Sequence, residues 1–258
     1  MTLEESKKSL KLNGYCDFEL KDFNEEFYNL FESLKYIDGD TQYLNEFNSV
    51  RFDYKPDNEF DMNKNYHFNS FAEADDKKNE IIEEYDEKHI PQLWLYAVRL
   101  PVDSQDFSKT KHIKDKNAFH NVYYRILEHF YGENENDVNC GLQWTCYSEG
   151  CFLKDHNDGQ GDEYQNTCAI LIYLNDEWEQ NWGGNLILRN TKSPNDKDRF
   201  TQYKVVPKFG KVAIIDLKIF DASHAVEKII GDHKRCTLLA FATSKTKRDK
   251  IKIDKKVI

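Results

Sequence analysis

The feature that most constrains the fold is a series of short β-rich runs in the second half of the chain. From about residue 141 onward they are separated by Gly, Asn, Asp and Pro. The runs are GLQWTCY, CAILIYLN, GGNLILR, FTQYKVV, GKVAIIDL and RCTLLAFAT. Many short strands divided by turn residues are typical of a sandwich or barrel. The sequence therefore predicts that this half is a β-structure.

Helical patterns dominate the first half. Apolar residues recur at three- and four-residue spacings in 20–35 and again in 115–132, which predicts two amphipathic helices. A third pattern fills about 74–90 and ends or kinks at Pro91. Residues 37–72 show little periodicity, and we expect strands and long loops there. Helices followed by many short strands predict one α+β domain with its helices packed outside the sheets.

Charge and hydropathy limit the classes of partner. The 258-residue chain carries 46 acidic and 36 basic residues, a formal charge of −10. This balance disfavours nonspecific binding to nucleic acid or to anionic membranes, since both are polyanions. No apolar run approaches the roughly 20 residues that a membrane span needs. We therefore expect neither nucleic acid nor membrane as a partner.

The cysteines and the two ends of the chain bear on the compartment. The six cysteines form no C-x-x-C pair and follow no secretory segment, which favours reduced thiols over disulfides or a zinc site. The first residues are polar and unlike a targeting peptide. The lysine-rich end, 244–258, is interpreted as a solvated basic tail. These features predict a cytoplasmic protein.

Two histidines and an aspartate suggest a metal site. His156 and Asp158 are two positions apart, so in an extended segment their side chains project to the same side. His224 follows the β-run GKVAIIDL and a short loop. Two imidazoles and one carboxylate on one face of an octahedral ion leave the opposite face open, as in non-haem Fe(II) oxygenases. A merely polar turn around His156 is the alternative interpretation.

An arginine strengthens the first interpretation. Arg235 lies 11 residues after His224, in a β-run whose alternation puts Arg235 and Thr237 on one face. The guanidinium is a fixed fork of donors that suits a carboxylate, so it would hold the far end of a dicarboxylate beside an iron site. A surface arginine on an edge strand is the alternative.

Seven landmarks in order make residues 141–243 resemble one enzyme family. They are Y-x-x-G (Tyr147 to Gly150), H-x-D (His156, Asp158), YLND-x-W (Tyr173 to Trp178), GG-x-L (Gly183 to Leu186), V-x-P ending at Pro207, His224-Ala-Val and Arg235-x-Thr237. The segment resembles the prolyl-4-hydroxylase-like branch of the Fe(II)- and 2-oxoglutarate-dependent dioxygenases. The fold that this resemblance implies is a double-stranded β-helix, a jelly-roll core with supporting N-terminal helices.

The resemblance implies a role for each matching residue. The metal ligands would be His156, Asp158 and His224. Arg235 would bind the C5 carboxylate of 2-oxoglutarate, with Tyr173 and Thr237 at the same carboxylate. Tyr147 would line the pocket near cosubstrate and substrate. Fe(II), 2-oxoglutarate and dioxygen are implied as cofactor and cosubstrates, with ascorbate as a reductant.

Other landmarks have structural interpretations. Gly183 and Gly184 suit a turn, and Trp178 and Trp182 are interpreted as packing aromatics. Asp221 is a candidate acceptor for an imidazole N–H or simply a loop aspartate.

The chain is interpreted as a single domain, 1–258, in three parts. Residues 1–140 would form a helical and irregular part that packs on the core, 141–243 the double-stranded β-helix catalytic core, and 244–258 the tail. The stretch 37–72 is either a lid over the active site or a solvated surface loop. Nothing in the sequence indicates the oligomeric state.

Three functions stay open. The first is a dioxygenase that hydroxylates an unactivated C–H bond of a prolyl or similar residue in a peptide or protein, releasing succinate and CO2. The second is a hydroxylase or desaturase of a free amino acid or other small metabolite, because Asn166 and Ala169 stand where prolyl hydroxylases of this type usually have arginine and threonine. The third is a catalytically silent ligand-binding β-sandwich. The carboxylate of Asp158 argues against a halogenase.

Overall fold

The computed structural model describes residues 1–35, 50–54, 64–68, 76, 98–101, 116–133, 138–156, 168–190, 202–217 and 222–244. The helices are α1 (Leu3–Asn13), α2 (Leu20–Phe23), α3 (Glu25–Glu32) and α4 (Lys116–Tyr131), with a 3-10 turn at Gln180–Trp182. The strands are β1 (Tyr15–Glu19), β2 (Val50–Tyr54), β3 (Lys64–Phe68), β4 (Val98–Pro101), β5 (Val138–Tyr147), β6 (Leu153–His156), β7 (Cys168–Tyr173), β8 (Leu186–Asn190), β9 (Gln202–Val205), β10 (Lys211–Asp216), β11 (Ala222–Val226) and β12 (Arg235–Ser244).

Two antiparallel sheets form the core. The larger has the order β1-β10-β7-β12-β5-β4, and the smaller has the order β6-β11-β8-β9. Every residue of β7 is buried, as expected of a continuous apolar run covered on both faces. One cluster of buried side chains draws on both sheets and on the helices. The predicted α+β fold with a jelly-roll core and supporting N-terminal helices is confirmed.

Helix α4 covers the larger sheet as its apolar stripe predicts. Phe119, Val122 and Ile126 are buried in the common core. The hydroxyl of Tyr123 donates a 2.7 Å hydrogen bond to the backbone carbonyl of Leu238 in β12. The helix is therefore tied to the strand that begins at Arg235.

The helix predicted over 20–35 is wrong in one respect, because it consists of two helices. Asn24 is extended, with φ −162° and ψ 119°, and its side chain accepts a 3.0 Å hydrogen bond from the backbone N–H of Phe27. This cap competes with a continuous helix. The apolar spacing continues across the break, which is why periodicity alone does not reveal it.

The first 23 residues contain two elements that the sequence analysis did not predict. Helix α1 starts with a capping box between Thr2 and Glu5 and ends at Gly14. Strand β1 then pairs with β10, in register from Tyr15 opposite Ile215. The larger sheet thus takes β1 and β4 from before residue 141, and the division of the chain at that residue stays a prediction.

A buried carboxylate joins the open edges of the two sheets. Asp17 in β1 accepts a 2.5 Å hydrogen bond from the hydroxyl of Tyr203 in β9 and lies 3.1 Å from Nζ of Lys211. Lys211 also contacts Glu19 at 2.5 Å, and the rings of Tyr15 and Tyr203 stack with centroids 5.8 Å apart. Because β1 and β9 are edge strands of different sheets, these contacts close the sandwich at one side.

Several sequence predictions concern segments that are described in part or not at all. Strands β2 and β3 lie within 37–72 and pair as an antiparallel ribbon, which agrees with the strands expected there. The helix expected over 74–90 lies outside the described residues except for Asp76, and residues 245–258 of the tail lie outside them as well. In the described part of the chain, no helix is long and apolar enough to cross a membrane. All six cysteines are buried thiols.

Candidate active site

Two of the predicted metal ligands lie side by side in the smaller sheet. His156, the last residue of β6, is directly opposite His224 in β11, and their ring centroids are 4.1 Å apart. Directly opposed residues of an antiparallel pair project to the same face, so the ladder itself brings the two imidazoles together. His224 is only 6 % exposed and His156 is half-buried. A pair of neighbouring imidazoles fits a transition metal by the chemistry of its donor atoms.

The residues just before the two histidines form side-chain contacts between neighbouring strands. Asp155 in β6 forms an ion pair with Arg189 in β8 and accepts a 3.2 Å hydrogen bond from the hydroxyl of Ser223 in β11. These side chains lie on the other face of the sheet from the imidazoles, because successive residues of a strand alternate. The contacts therefore hold β6, β11 and β8 in the register that pairs the histidines.

The third predicted ligand, Asp158, lies outside the described residues, two positions beyond the end of β6. Within the described ranges, no three side chains of His, Cys, Asp or Glu gather as a metal site. Asp221 is likewise outside them. The set of three ligands remains a prediction, of which the structure brings two members together.

The predicted carboxylate clamp forms one buried cluster. Arg235 is 2 % exposed, and its Nε donates a 2.8 Å hydrogen bond to the backbone carbonyl of Gly184. Its Nη1 donates to Oγ1 of Thr237 and its Nη2 to the hydroxyl oxygen of Tyr173, both at 3.3 Å. The sheet positions the group, because Thr237 pairs with Tyr173 across β12 and β7.

Two tyrosine rings flank the guanidinium. The Arg235 Cζ atom lies 5.3 Å from the ring centroid of Tyr147 and 5.0 Å from that of Tyr173. Strands β5 and β7 are the two neighbours of β12, so the rings approach from both sides. Burial raises the pKa of Tyr173 although the arginine charge opposes this shift. The hydroxyl of Tyr173 therefore keeps its proton at neutral pH and is able to donate to an anion.

The charge of this cluster calls for an anionic ligand. Among the residues that the structure describes, no carboxylate forms an ion pair with Arg235, and the guanidinium donates to two hydroxyls and a carbonyl. A buried cation without a counter-charge is costly. A carboxylate that accepts from the two Nη atoms would offset that cost, with Tyr173 and Thr237 as further donors.

Strand β8 connects the clamp to the imidazole pair. Gly184, which holds Nε of Arg235, lies two residues before β8, and Leu188 within β8 is paired with His224. The four residue steps from Gly184 to Leu188 span at most roughly 13 Å, the length that a fully extended chain would have. An arginine side chain and a short dicarboxylate are able to bridge this separation together.

Sequence reasoning missed one polar residue of this region. Asn175 is 2 % exposed, and its side chain bonds to the backbone on both sides of Arg235. The motif YLND contains it, but a motif does not tell which side chains turn back onto the chain. Trp178 is buried as predicted, and its indole N–H donates a 2.9 Å hydrogen bond to the carbonyl of Gly183.

Comparison with known families agrees with this arrangement. Residues 142–241 match the model of the 2OG-Fe(II) oxygenase superfamily. The matched segment runs from β5 to β12 and includes both histidines and the clamp.

Solved structures share the fold at low sequence identity. A Pseudomonas putida prolyl-4-hydroxylase aligns with a TM-score of 0.51 and 13 % identity, covering 93 % of this chain and 97 % of that one. A Trichoplax adhaerens prolyl hydroxylase in complex with a peptide fragment of hypoxia inducible factor gives 0.54 and 13 %, covering 95 % and 90 %. The non-heme alpha ketoglutarate dependent epimerase SnoN from nogalamycin biosynthesis gives 0.54 and 12 %, covering 93 % and 81 %.

These similarities confirm the family and the class of enzyme that the sequence predicts. At 12–13 % identity the structural matches establish the fold, which prolyl hydroxylases share with an enzyme named for a different reaction. The match over residues 142–241 carries the assignment of the family. Residues 142–241 thus match the 2OG-Fe(II) oxygenase superfamily, and the chain shares the fold of prolyl-4-hydroxylases.

Proposed function

We propose that this protein is an Fe(II)- and 2-oxoglutarate-dependent dioxygenase that hydroxylates an unactivated C–H bond of a prolyl or similar residue in a peptide or protein. The observation that carries the proposal is the buried Arg235, whose hydrogen-bond partners among the described residues are neutral and which is connected through β8 to the paired imidazoles of His156 and His224. An anion clamp at this distance from a pair of metal-binding side chains suits a short dicarboxylate that also contacts the metal.

The residues divide into two groups with different tasks. His156 and His224 would hold Fe(II) together with Asp158. The iron, with 2-oxoglutarate and dioxygen, supplies the oxidising power for C–H hydroxylation, and 2-oxoglutarate is consumed to succinate and CO2. Arg235 would bind the distal carboxylate of 2-oxoglutarate through both Nη atoms, and Tyr173 and Thr237 would donate to the same carboxylate.

The protein environment favours productive binding. The clamp lies in the core, so water does not compete for the Nη donors. The ring of Tyr147 packs beside the guanidinium, where it would line the pocket near cosubstrate and substrate. The raised pKa of Tyr173 keeps its hydroxyl a donor across the neutral range.

The substrate is proposed from the branch of the family. A solved neighbour with this fold is a prolyl hydroxylase that holds a peptide. A free amino acid or other small metabolite is the second candidate, for hydroxylation or desaturation. It is favoured by Ala169, a buried residue of β7 without the hydroxyl that prolyl hydroxylases of this type usually carry there.

The first test is anaerobic addition of Fe(II) and then 2-oxoglutarate to the purified protein. A visible charge-transfer band is expected in the wild type and should be lost in His224→Ala. In Arg235→Met the band should appear only at a far higher concentration of 2-oxoglutarate. Absence of the band at saturating metal and cosubstrate in the wild type would contradict the proposal and favour a silent binding module.

The substrate test measures succinate formation in air, with and without ascorbate as the proposed reductant. Stimulation above the uncoupled rate by proline-containing peptides supports the first candidate. Stimulation by free amino acids alone would move the proposal to the second. A product analysis then identifies the C–H bond that is attacked.

A further inference from the structure

The start of β12 is held by an unusual side-chain contact. The ladder between β12 and β7 includes Thr237 opposite Tyr173, and the next contact is a 3.1 Å hydrogen bond from the backbone N–H of Leu174 to the carbonyl of Cys236. Beyond this bond, the side chain of Asn175, and not the backbone of β7, bonds to the start of β12. Its Oδ1 accepts a 3.0 Å hydrogen bond from the N–H of Cys236, and its Nδ2 donates to the carbonyl of Lys234.

These two hydrogen bonds are made to the residues on either side of Arg235. One is made to the residue before it and one to the residue after it, so a single buried amide fixes the peptide units on both sides of the arginine. A side-chain amide has one donor and one acceptor end, which is what this pair of contacts requires. On the other side, Arg235 is in register with Tyr147 of β5. The Cα atom of Arg235 is therefore constrained by both neighbouring strands.

A second anchor acts on the side chain. Nε of Arg235 donates to the Gly184 carbonyl. Each Nη atom carries two N–H groups and donates one to Thr237 or Tyr173, so each has a second N–H to offer a ligand. Gly184 has φ +64°, and a Cβ atom there would lie 2.8 Å from Trp178 and 3.3 Å from Cδ of Arg235. The close approach therefore requires glycine, and the Trp178 ring supports the turn from behind.

We propose that Asn175 is a positioning residue. It orients the side chain of Arg235 and thereby determines the preference for a 2-oxo acid with a distal carboxylate. Its role would be indirect, because both ends of its amide are bonded to the backbone of Lys234 and Cys236. With both flanking peptides fixed and Nε taken by Gly184, the guanidinium presents its Nη fork in one direction. Loss of the amide would let the start of β12 shift, and a bidentate contact tolerates little displacement. The inference rests on the proposed function, because it assumes that Arg235 binds 2-oxoglutarate.

The test compares two ligands on the full-length protein loaded anaerobically with Fe(II). One is 2-oxoglutarate, and the other is 2-oxopentanoate, which has the same chain length but no distal carboxylate. In Asn175→Ala, the affinity for 2-oxoglutarate should fall about tenfold or more while that for 2-oxopentanoate changes less than about twofold. The ratio of the two affinities is the readout, because a general loss of structure would weaken both ligands alike.

Ser6→Ala is the matched control. Ser6 is also fully buried, and its single O–H points between the carbonyls of Thr2 and Asp17, at 2.9 Å and 2.7 Å from Oγ and away from the clamp. Ser6→Ala also removes a buried side-chain contact with the backbone, and it should keep the wild-type ratio. Asn175→Asp keeps the acceptor for Cys236 but replaces the donor to Lys234 by an oxygen that the carbonyl repels, so a fall in the ratio is expected here as well.

The outcomes separate this inference from the proposed function. A wild-type ratio in folded Asn175→Ala or Asn175→Asp would overturn the inference, and so would an equal loss for both ligands. If Arg235→Met abolishes the preference while Asn175→Ala retains it, the clamp stands and only the positioning role fails. If the wild type shows no preference for 2-oxoglutarate and Arg235→Met changes nothing, the proposed function fails and the inference fails with it.

Discussion

The turn that carries Gly183 offers a stringent test of the structure. Gly183 has φ +68° and ψ −148°, a region that residues with a side chain rarely adopt. A Cβ atom there would lie 1.9 Å from the backbone carbonyl oxygen of Lys228 and 3.0 Å from its carbon. Backbone atoms cannot rotate away as a side chain does, so Gly183→Ala should force the two segments apart.

Gly132 provides the control, because it has nearly the same φ, +69°, but no atom of the described residues lies within 4 Å of the added Cβ. Positive φ costs an alanine about 1–2 kcal/mol. A steric clash in a packed region adds about 1–3 kcal/mol. Gly132→Ala should therefore lose about 1–2 kcal/mol of unfolding free energy, and Gly183→Ala about 2–5 kcal/mol.

Thermal unfolding of the two variants side by side measures the difference. In proteins of 150–250 residues, 1 kcal/mol shifts Tm by about 2–4 °C, so Gly183→Ala should melt roughly 2–12 °C below Gly132→Ala. It should also weaken 2-oxoglutarate binding, because the next residue holds Nε of Arg235. Equal Tm losses in the two variants would refute the reasoning, since the carbonyl of Lys228 would then not lie against Gly183.

Three further predictions concern hydroxyl and charge contacts. Tyr173→Phe keeps the buried ring but removes the hydroxyl that would donate to the distal carboxylate. A hydrogen bond to a charged group contributes about 1.5–3 kcal/mol, so the affinity for 2-oxoglutarate, measured by calorimetry, should fall about 10- to 100-fold. Tyr203→Phe removes the 2.5 Å bond to Asp17 that joins the sheets and should lower the unfolding free energy in urea by about 1–2 kcal/mol, whereas an unchanged value would mean that the contact is not formed. Burial lowers the pKa of Lys211, but its bonds to Glu19 and Asp17 raise it above the ordinary 10.5, so its stabilising contribution should be fully present below pH 10.5 and lost as the pH rises through the raised pKa. Urea unfolding of wild type and Lys211→Met at about pH 8 and about pH 11.5 should give a smaller difference at the higher pH.

The β-rich half and its clamp could be predicted because the necessary signals are local or ordered along the chain. Turn residues separate the strands, and strand alternation places Arg235 and Thr237 on one face. Periodicity likewise predicts α4, which ends before Gly132 as expected. The pairing of His156 with His224 was expected from the resemblance that the ordered motifs carry. The spacing of the two residues alone does not predict it, because strand pairing is nonlocal.

Other elements escaped prediction for identifiable reasons. The capping box Thr2-x-x-Glu5 is a helix signal, but a polar N-terminus suggests no core-facing helix. Strand β1 is defined by its partner β10, nearly 200 residues away, and no local pattern reveals that pairing. Asn175 was hidden for a similar reason, because its two partners, Lys234 and Cys236, flank the first residue of a strand that starts some 60 residues later.

The connection through β8 explains how a site on two sheets keeps one geometry. His224 lies on the smaller sheet and Arg235 on the larger, so independent movement of the sheets would change the distance between them. Gly184 prevents this, because it bonds to Arg235 and leads directly into β8, which is paired with β11. The separation is therefore limited by a short connection, the turn at Gly184 and the first residues of β8. If the proposed roles hold, the length of the cosubstrate is fixed by this strand, and the choice of substrate is left to segments that can vary without moving it.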